Sequence, residues 1–170
     1  YPESQHYYDS CILTGVKYAA KIPIALMAFE NKAFSHYRSG DYPKSIETAD
    51  AGIAVSRQQL NVLSEIALLA QKAQSQAAEN NVAAAAQTIR TAMALLPADA
   101  ATERVTCFTI YAGILGSEKK FSEAVHYYQQ AIQANRRLER WDQCALNLVD
   151  LGYLYNEEMK DAGNALRCYQ

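Results

Sequence analysis

Apolar residues along this chain recur at three- and four-residue steps, with little of the strict alternation that marks a half-buried strand. Four segments share one order of small and large residues. The first runs through Phe29, Ala33, Gly40-Asp41-Tyr42, Ser45, Ala49 and Gly52. The second has Leu69, Ala73, Asn80, Val82, Ala85, Ile89, Ala92 and Pro97. The third has Phe108, Ala112, Phe121, Ala124, Tyr128 and Ala131, and the fourth Leu151-Gly152, Tyr155, Asp161, Ala165 and Tyr169. Matching residues lie about 40 positions apart, a period at which helical-repeat arrays occur.

Each segment reads as two helices. Ala33, Ala73, Ala112 and Gly152 fall mid-way along the first helix, while Ser45, Ala85, Ala124 and Ala165 come early in the second. Small residues there let antiparallel helices approach, and large neighbours fill the groove. Such a hairpin cannot bury its own apolar face and needs the next hairpin to cover it. The pattern therefore predicts an all-α, right-handed superhelical solenoid of antiparallel helix pairs. One domain over 1–170 is expected, with an N-terminal helix at about 5–20, from Gln5 to Ala20. Repeats follow at about 26–60, 66–99, 105–139 and 145–170, the last incomplete.

The breaks agree. Gly40 is expected as a left-handed cap, Pro43 belongs in a first helical turn, and Asn80-Asn81 suits positive φ. Leu96-Pro97 closes the second repeat, and Asp99 is expected to cap the next helix. Gly116-Ser117 and Lys160-Asp161 mark the last two turns within hairpins, and one extra residue sits in Asn156 to Met159.

Composition narrows the function. Sixteen basic and 18 acidic residues leave a net charge of −2, which argues against a phosphate-backbone partner. No apolar run reaches the roughly 20 residues that span a bilayer, so no membrane insertion of this segment is expected. The chain opens with Tyr1-Pro2-Glu3-Ser4 rather than Met, and is read as a segment of a longer protein. Its compartment is then either the cytoplasm or, if a signal peptide has been removed, the periplasm. The four cysteines, Cys11, Cys107, Cys144 and Cys168, form no CxxC pair and are expected as small hydrophobes on helix faces.

These residues resemble the tetratricopeptide repeat family, above all in Gly40-Asp41-Tyr42 with Ala49, in Phe121 to Ile132, and in Leu151-Gly152-Tyr153-Leu154-Tyr155 with Ala165-Leu166. The resemblance covers about Leu26 to Gln170. It is similar to the longer-repeat varieties of bacterial signalling proteins and motor-protein light chains, because the spacings exceed the family's usual length. Longer helices or longer connections are therefore implied. Lys32 and His36 depart from the family pattern, and the second repeat lacks aromatic residues.

The resemblance implies a concave groove lined by the first helices. It maps that face onto Glu30, Phe34, Tyr37 and Arg38, then Gln71 and Gln74, then Thr106 and Thr109, then Asp150, Tyr153 and Asn156. Aromatic anchors among amides and hydroxyls suit peptide recognition. Paired basic residues that would clamp a terminal carboxylate are missing from these positions. Tyr42, Tyr128, Tyr155 and Tyr169 fit core positions instead.

Nothing resembles a phosphate loop, a nucleophile elbow or a paired-histidine helix. His6 with Asp9 and His126 with Glu123 are pairings expected on amphipathic helices. Arg136, Arg137 and Arg140 read as a solvated helix end, with Trp141 packed on the next hairpin. No catalytic, cofactor-binding or metal-ligating residue can be named, and no cofactor is expected. The sequence thus points to a non-catalytic protein- or peptide-binding module, the sensory, regulatory or scaffold segment of a larger bacterial signalling protein. A structural spacer or self-association unit is the alternative, and an enzyme with a groove-lined site the weaker third. Leu151, Leu154, Tyr155 and Leu166 are expected to form a partly covered apolar end face, open to association with another copy.

Overall fold

The computed structural model describes residues 2–17 and 22–170, with side chains from Ser4 onward. Helices α1 (Pro2–Lys17), α2 (Ile22–Arg38), α3 (Tyr42–Gln58), α4 (Val62–Ala78) and α5 (Val82–Ala94) come first. Helices α6 (Ala101–Ser117), α7 (Phe121–Arg137) and α8 (Trp141–Tyr153) follow, then a π-helical turn (Leu154–Glu158) and α9 (Ala162–Tyr169). No strand occurs among the described residues. The expected N-terminal helix is α1, and the part of it assigned to 18–20 lies outside the described residues.

Packing gathers these helices into two compact units, one ending at Leu96 and the other starting at Pro97. Within the first, α1 packs on α2, α2 on α3, α3 on α4 and α4 on α5, and α2 also touches α4 directly. Within the second, α6 packs on α7, α7 on α8 and α8 on α9.

The unusual repeat length resides in the helices. Helices α2, α3, α4, α6 and α7 each have 17 residues. Three-residue links such as 39–41 and 59–61 bring each of these 17-residue helices plus its link to 20, and the pairs starting at 22 and 101 to 40. Every such link turns through one left-handed residue: Gly40, Leu60, Asn80, Lys119, Glu139 and Lys160 have φ between 53° and 80°. The amide after it reaches back to a carbonyl in the last helical turn, as in Asp41 N to His36 O and Asn61 N to Ser56 O, both 2.9 Å. This double closure satisfies carbonyls the helix end would orphan. Gly40 and Asn80 were legible as such positions. Leu60 and Glu139 were not, because a left-handed conformation costs such residues roughly 1–2 kcal/mol.

The last residue of several links caps the following helix. Asp41, Asn61, Asn81 and Asp161 accept the amides of Lys44, Ser64, Ala84 and Asn164. Asp99 does not act this way: Ala100 is the cap of α6, and Asp99 offers only its backbone carbonyl, to the Ala101 amide. The turn after α6 is also later than expected, since Gly116-Ser117 still belongs to the helix and Lys119 makes the bend.

The small residues sit where the repeat pattern put them. Ala33, Ala73, Ala112, Ser45, Ala85 and Ala124 are fully enclosed. Gly52 is needed for the same reason: a methyl there would lie 2.8 Å from Leu68 Cδ1 and 2.9 Å from Phe29 Cβ. The one-residue excess of the last repeat is absorbed by the π-helical turn. Helix α8 with that turn spans 141–158, 18 residues against 17 in α6, and Asp161 still arrives in time to cap α9.

Some core expectations are corrected. Leu151 and Leu154 are buried, because Leu154 reaches under Gly116 of α6. Tyr169 is about half exposed, lying on Gly152 at the edge of the second unit. Trp141 is exposed rather than packed on a following hairpin. The open apolar surface of α8 and α9 consists of Trp141, Leu146, Val149, Leu166 and Tyr169. Of the four residues expected there, only Leu166 is markedly exposed.

Candidate functional site: the open face of the first helices

In the first unit, α2 and α4 lie against one another. The contact is possible because Ser75 is small: its hydroxyl lies 2.8 Å from that of Ser45, which in turn is 2.8 Å from the Ala33 carbonyl. Ser75 Oγ is also 3.0 Å from the Gln71 carbonyl, so the two hydroxyls form a short buried chain joining α2, α3 and α4. On the open face, Phe34 is exposed and the Arg38 guanidinium stands 6.0 Å from its ring centroid. Gln71 and Gln74 are half-buried, and the Gln71 amide nitrogen is enclosed without a hydrogen-bond partner. Glu30 is half-buried on the same helix as Phe34. Tyr37 turns aside to pack on Tyr42 of its own hairpin, ring centroids 5.7 Å apart.

The second unit is built differently. Leu154 occupies the place of Ser75, each 13 residues after its helix start at 141 and 62. Its bulk keeps α8 off α6, and a polar bridge spans the gap. Asn147 Nδ2 donates to Thr109 Oγ1 at 3.0 Å, and the Thr109 hydroxyl lies 3.2 Å from Asn147 Oδ1. Thr106 instead bonds the Thr102 carbonyl of its own helix at 3.2 Å. Asn156 sits in the π-helical turn and donates to the Glu157 carboxylate at 2.6 Å.

Beside that bridge a pocket of about 230 Å³ opens between α6 and α8. Gly113 and Gly116 form its floor, Asp150 and Tyr153 one wall, Leu154 and Glu158 its rim, and Tyr128 of α7 its back. Asp150 and Tyr153 share the wall because they are three residues apart on one helix. Gly113 occupies the position held by Phe34 and Gln74 in the other first helices, 12 residues after the starts at 101, 22 and 62. Without a side chain there, the Tyr128 hydroxyl stands 3.6 Å from where a Gly113 Cβ would be.

Electrostatics follow from burial. Loss of water raises the Asp150 carboxyl above its ordinary range. It also raises the Tyr128 phenol, with the nearby Asp150 charge adding to the effect. Sequence reasoning placed Tyr128 in the core, where it is. It missed that the hydroxyl end faces a cavity, since nothing in a helix-interior glycine such as Gly113 signals a pocket.

Elsewhere the titratable groups serve structure. Burial pushes the Cys107 thiol up to about 12, which makes it inert as a nucleophile. All four cysteines are free thiols, Cys107 and Cys144 buried and Cys11 and Cys168 half-buried. Asp41 and Asp161 are held below the usual range by hydrogen bonds from Lys44 and Asn164 in their caps. Among the described residues, no group of three His, Cys, Asp or Glu side chains could hold a metal, and no helix is long and apolar enough to cross a membrane.

Fold and face together define an all-α helical-repeat protein built from antiparallel helix pairs. The chain is similar to the crystal structure of BtubC (BKLC) from P. vanneervenii, with a TM-score of 0.78 and 16% identity over 98% of this chain and 71% of that one. At that identity the likeness speaks for the fold. No protein-family model matches the chain, and neither does any curated protein sequence.

Proposed function

We propose that the protein is a non-catalytic peptide-binding module of the tetratricopeptide type, with the open face of the first helices within each unit as a binding surface. The observation that carries this reading is the exposure of Phe34 in the first unit and, separately, of Tyr153 in the second, where neither closes the core of its own unit. Aromatic rings held on rigid helices beside amide and carboxylate groups are the usual anchors of peptide recognition. The absence of chemistry is part of the proposal. It is supported by Cys107, whose thiol is buried and far from ionisation. We assign the module, as a proposal resting on family resemblance, to the sensory, regulatory or scaffold part of a larger bacterial signalling protein.

Selection of a displayed peptide library against the protein tests the binding surface. Peptides so obtained should lose about ten-fold in affinity for Phe34→Ala or Tyr153→Ala, with melting temperatures little changed. Selected peptides that bind both variants as tightly as the parent would move binding elsewhere.

A second reading, self-association, is favoured by the apolar stripe of Trp141, Leu146 and Val149 on α8 with Leu166 on α9. Sedimentation equilibrium should then show a concentration-dependent dimer that Leu146→Lys abolishes. A monomer at every concentration would exclude it.

A further inference from the structure

We propose that the pocket between α6 and α8 seats the ammonium group of a lysine side chain from the bound peptide, gripped by Asp150 and the Tyr128 hydroxyl. This deepens the peptide-binding reading above and rests on it.

Four observations converge on that occupant. The pocket is large enough for an aliphatic stem, about 230 Å³, and Gly113 and Gly116 leave its floor as bare backbone. Two carboxylates border it, Asp150 and Glu158, and neither has a Lys, Arg or His within ion-pair distance among the described residues, although six other carboxylates do. The Tyr128 ring is buried, while its hydroxyl, which makes no hydrogen bond to the protein, opens on this space. A ligand donor entering the pocket can bond that hydroxyl in place of water. The exposed Tyr153 also lines the pocket, and a cation gains from the face of such a ring.

The chemistry of the acceptors selects lysine. Asp150 and Tyr128 approach from different helices, so they suit a compact group with three rotatable donors better than the flat fork of a guanidinium. The desolvation that disfavours a lone Asp150 carboxylate is offset when an ammonium enters beside it. The π-helical turn contributes as well, because the residue it accommodates carries the chain through Glu158 at the pocket rim.

The probe is the tripeptide acetyl-Ala-Lys-Ala-amide, titrated into the isotope-labelled chain and followed by backbone amide resonances. The amides of Gly113, Gly116 and Tyr153 should shift saturably, and the same peptide with norleucine in place of lysine should leave them unmoved. Asp150→Asn should weaken the lysine peptide about ten-fold and Tyr128→Phe about three-fold. Gly113→Phe, which fills the pocket from a helix position that readily takes a side chain, should abolish it while the helical signal persists. Equal shifts from both tripeptides, no shift from either, or undiminished binding by Asp150→Asn would each overturn the lysine seat. If selected groove peptides still depend on Phe34 and Tyr153 in that event, the peptide-binding reading stands without the seat. If they do not, both fall.

Discussion

The two units set the same pair of neighbours, one repeat's first helix and the next repeat's, at different separations, and one side chain accounts for the difference. In the first unit Ser75 lets α2 and α4 meet and closes a hydroxyl chain with Ser45. In the second, Leu154 at the matching position holds α8 away from α6, Asn147 and Thr109 bridge the gap, and the pocket opens beside them. The same pair of neighbours in a repeat array can therefore make a flush face or border a cavity. A small polar residue in one unit and a branched apolar one in the other mark the matching buried place.

The largest effect should come from undoing the spacer. Leu154→Ala removes a buried side chain and is expected to cost roughly 2–5 kcal/mol, read as a lowered midpoint in chemical denaturation. A midpoint near that of the parent would mean that Leu154 does not hold the helices apart. The reciprocal change, Ser75→Leu, forces a bulky side chain into a fully enclosed site and breaks the hydroxyl chain. A loss of roughly 1–3 kcal/mol is expected, and tolerance of leucine there would show that the α2–α4 contact has slack. Next in size is Asn147→Ala, which leaves the Thr109 hydroxyl without its inter-helix partner. It should cost roughly 1–2 kcal/mol, and Thr109→Ala on top should add less than it does alone. Strict additivity in that double-mutant cycle would mean that the bridge carries no energy.

The smallest expected effect is a matter of pH. Burial raises the folded-state pKa of Asp150, so the folded protein holds this proton more tightly than the unfolded chain. Its charge therefore destabilises the fold fully at neutral pH, and that cost fades as pH falls through the raised value toward the ordinary carboxylate range. Neither Glu158 nor the neutral Tyr128 phenol nearby reverses this, and among the described residues no cation is paired with it. Asp150→Asn should melt slightly higher than the parent near neutral pH, with the gap closing by about pH 4. A gap that widens on acidification would contradict the sign.

How far the sequence foretold this depends on which force decides each residue. Enclosed Ala33, Ala73, Ala112 and Ala124 were legible because a close helix crossing leaves no alternative to a small side chain. Gly40 and Asn80 were legible because a left-handed turn is a local role, whereas the capping by Asn81 and Asp161 was not foreseen. Leu60 and Glu139 were illegible because three-residue links of fixed geometry override local preference. Of the residues assigned to the candidate face, Phe34 and Tyr153 are exposed, whereas Tyr37 leans on Tyr42 of its own hairpin. The pocket itself was hidden. It depends on what Gly113 lacks and on how far Leu154 pushes, both of which belong to helix pairs rather than to any stretch of chain.

The π-helical turn at Leu154–Glu158 has a consequence for how such a chain tolerates change over generations. An inserted residue in an ordinary helix rotates everything after it by about 100°, since each residue advances the helix by 1/3.6 of a turn. In an array whose every helix must present a particular side to its neighbour, that rotation would be lethal to all later repeats. Here the addition is swallowed within one wide turn, so Asp161 caps on schedule and Ala165 still faces inward. The insertion thus behaves as a local edit: it alters the rim of the cavity while the downstream reading frame of buried faces is preserved. Lineages of this architecture can in this way sample new surfaces one residue at a time, at the ends of first helices, without re-solving the packing of the whole.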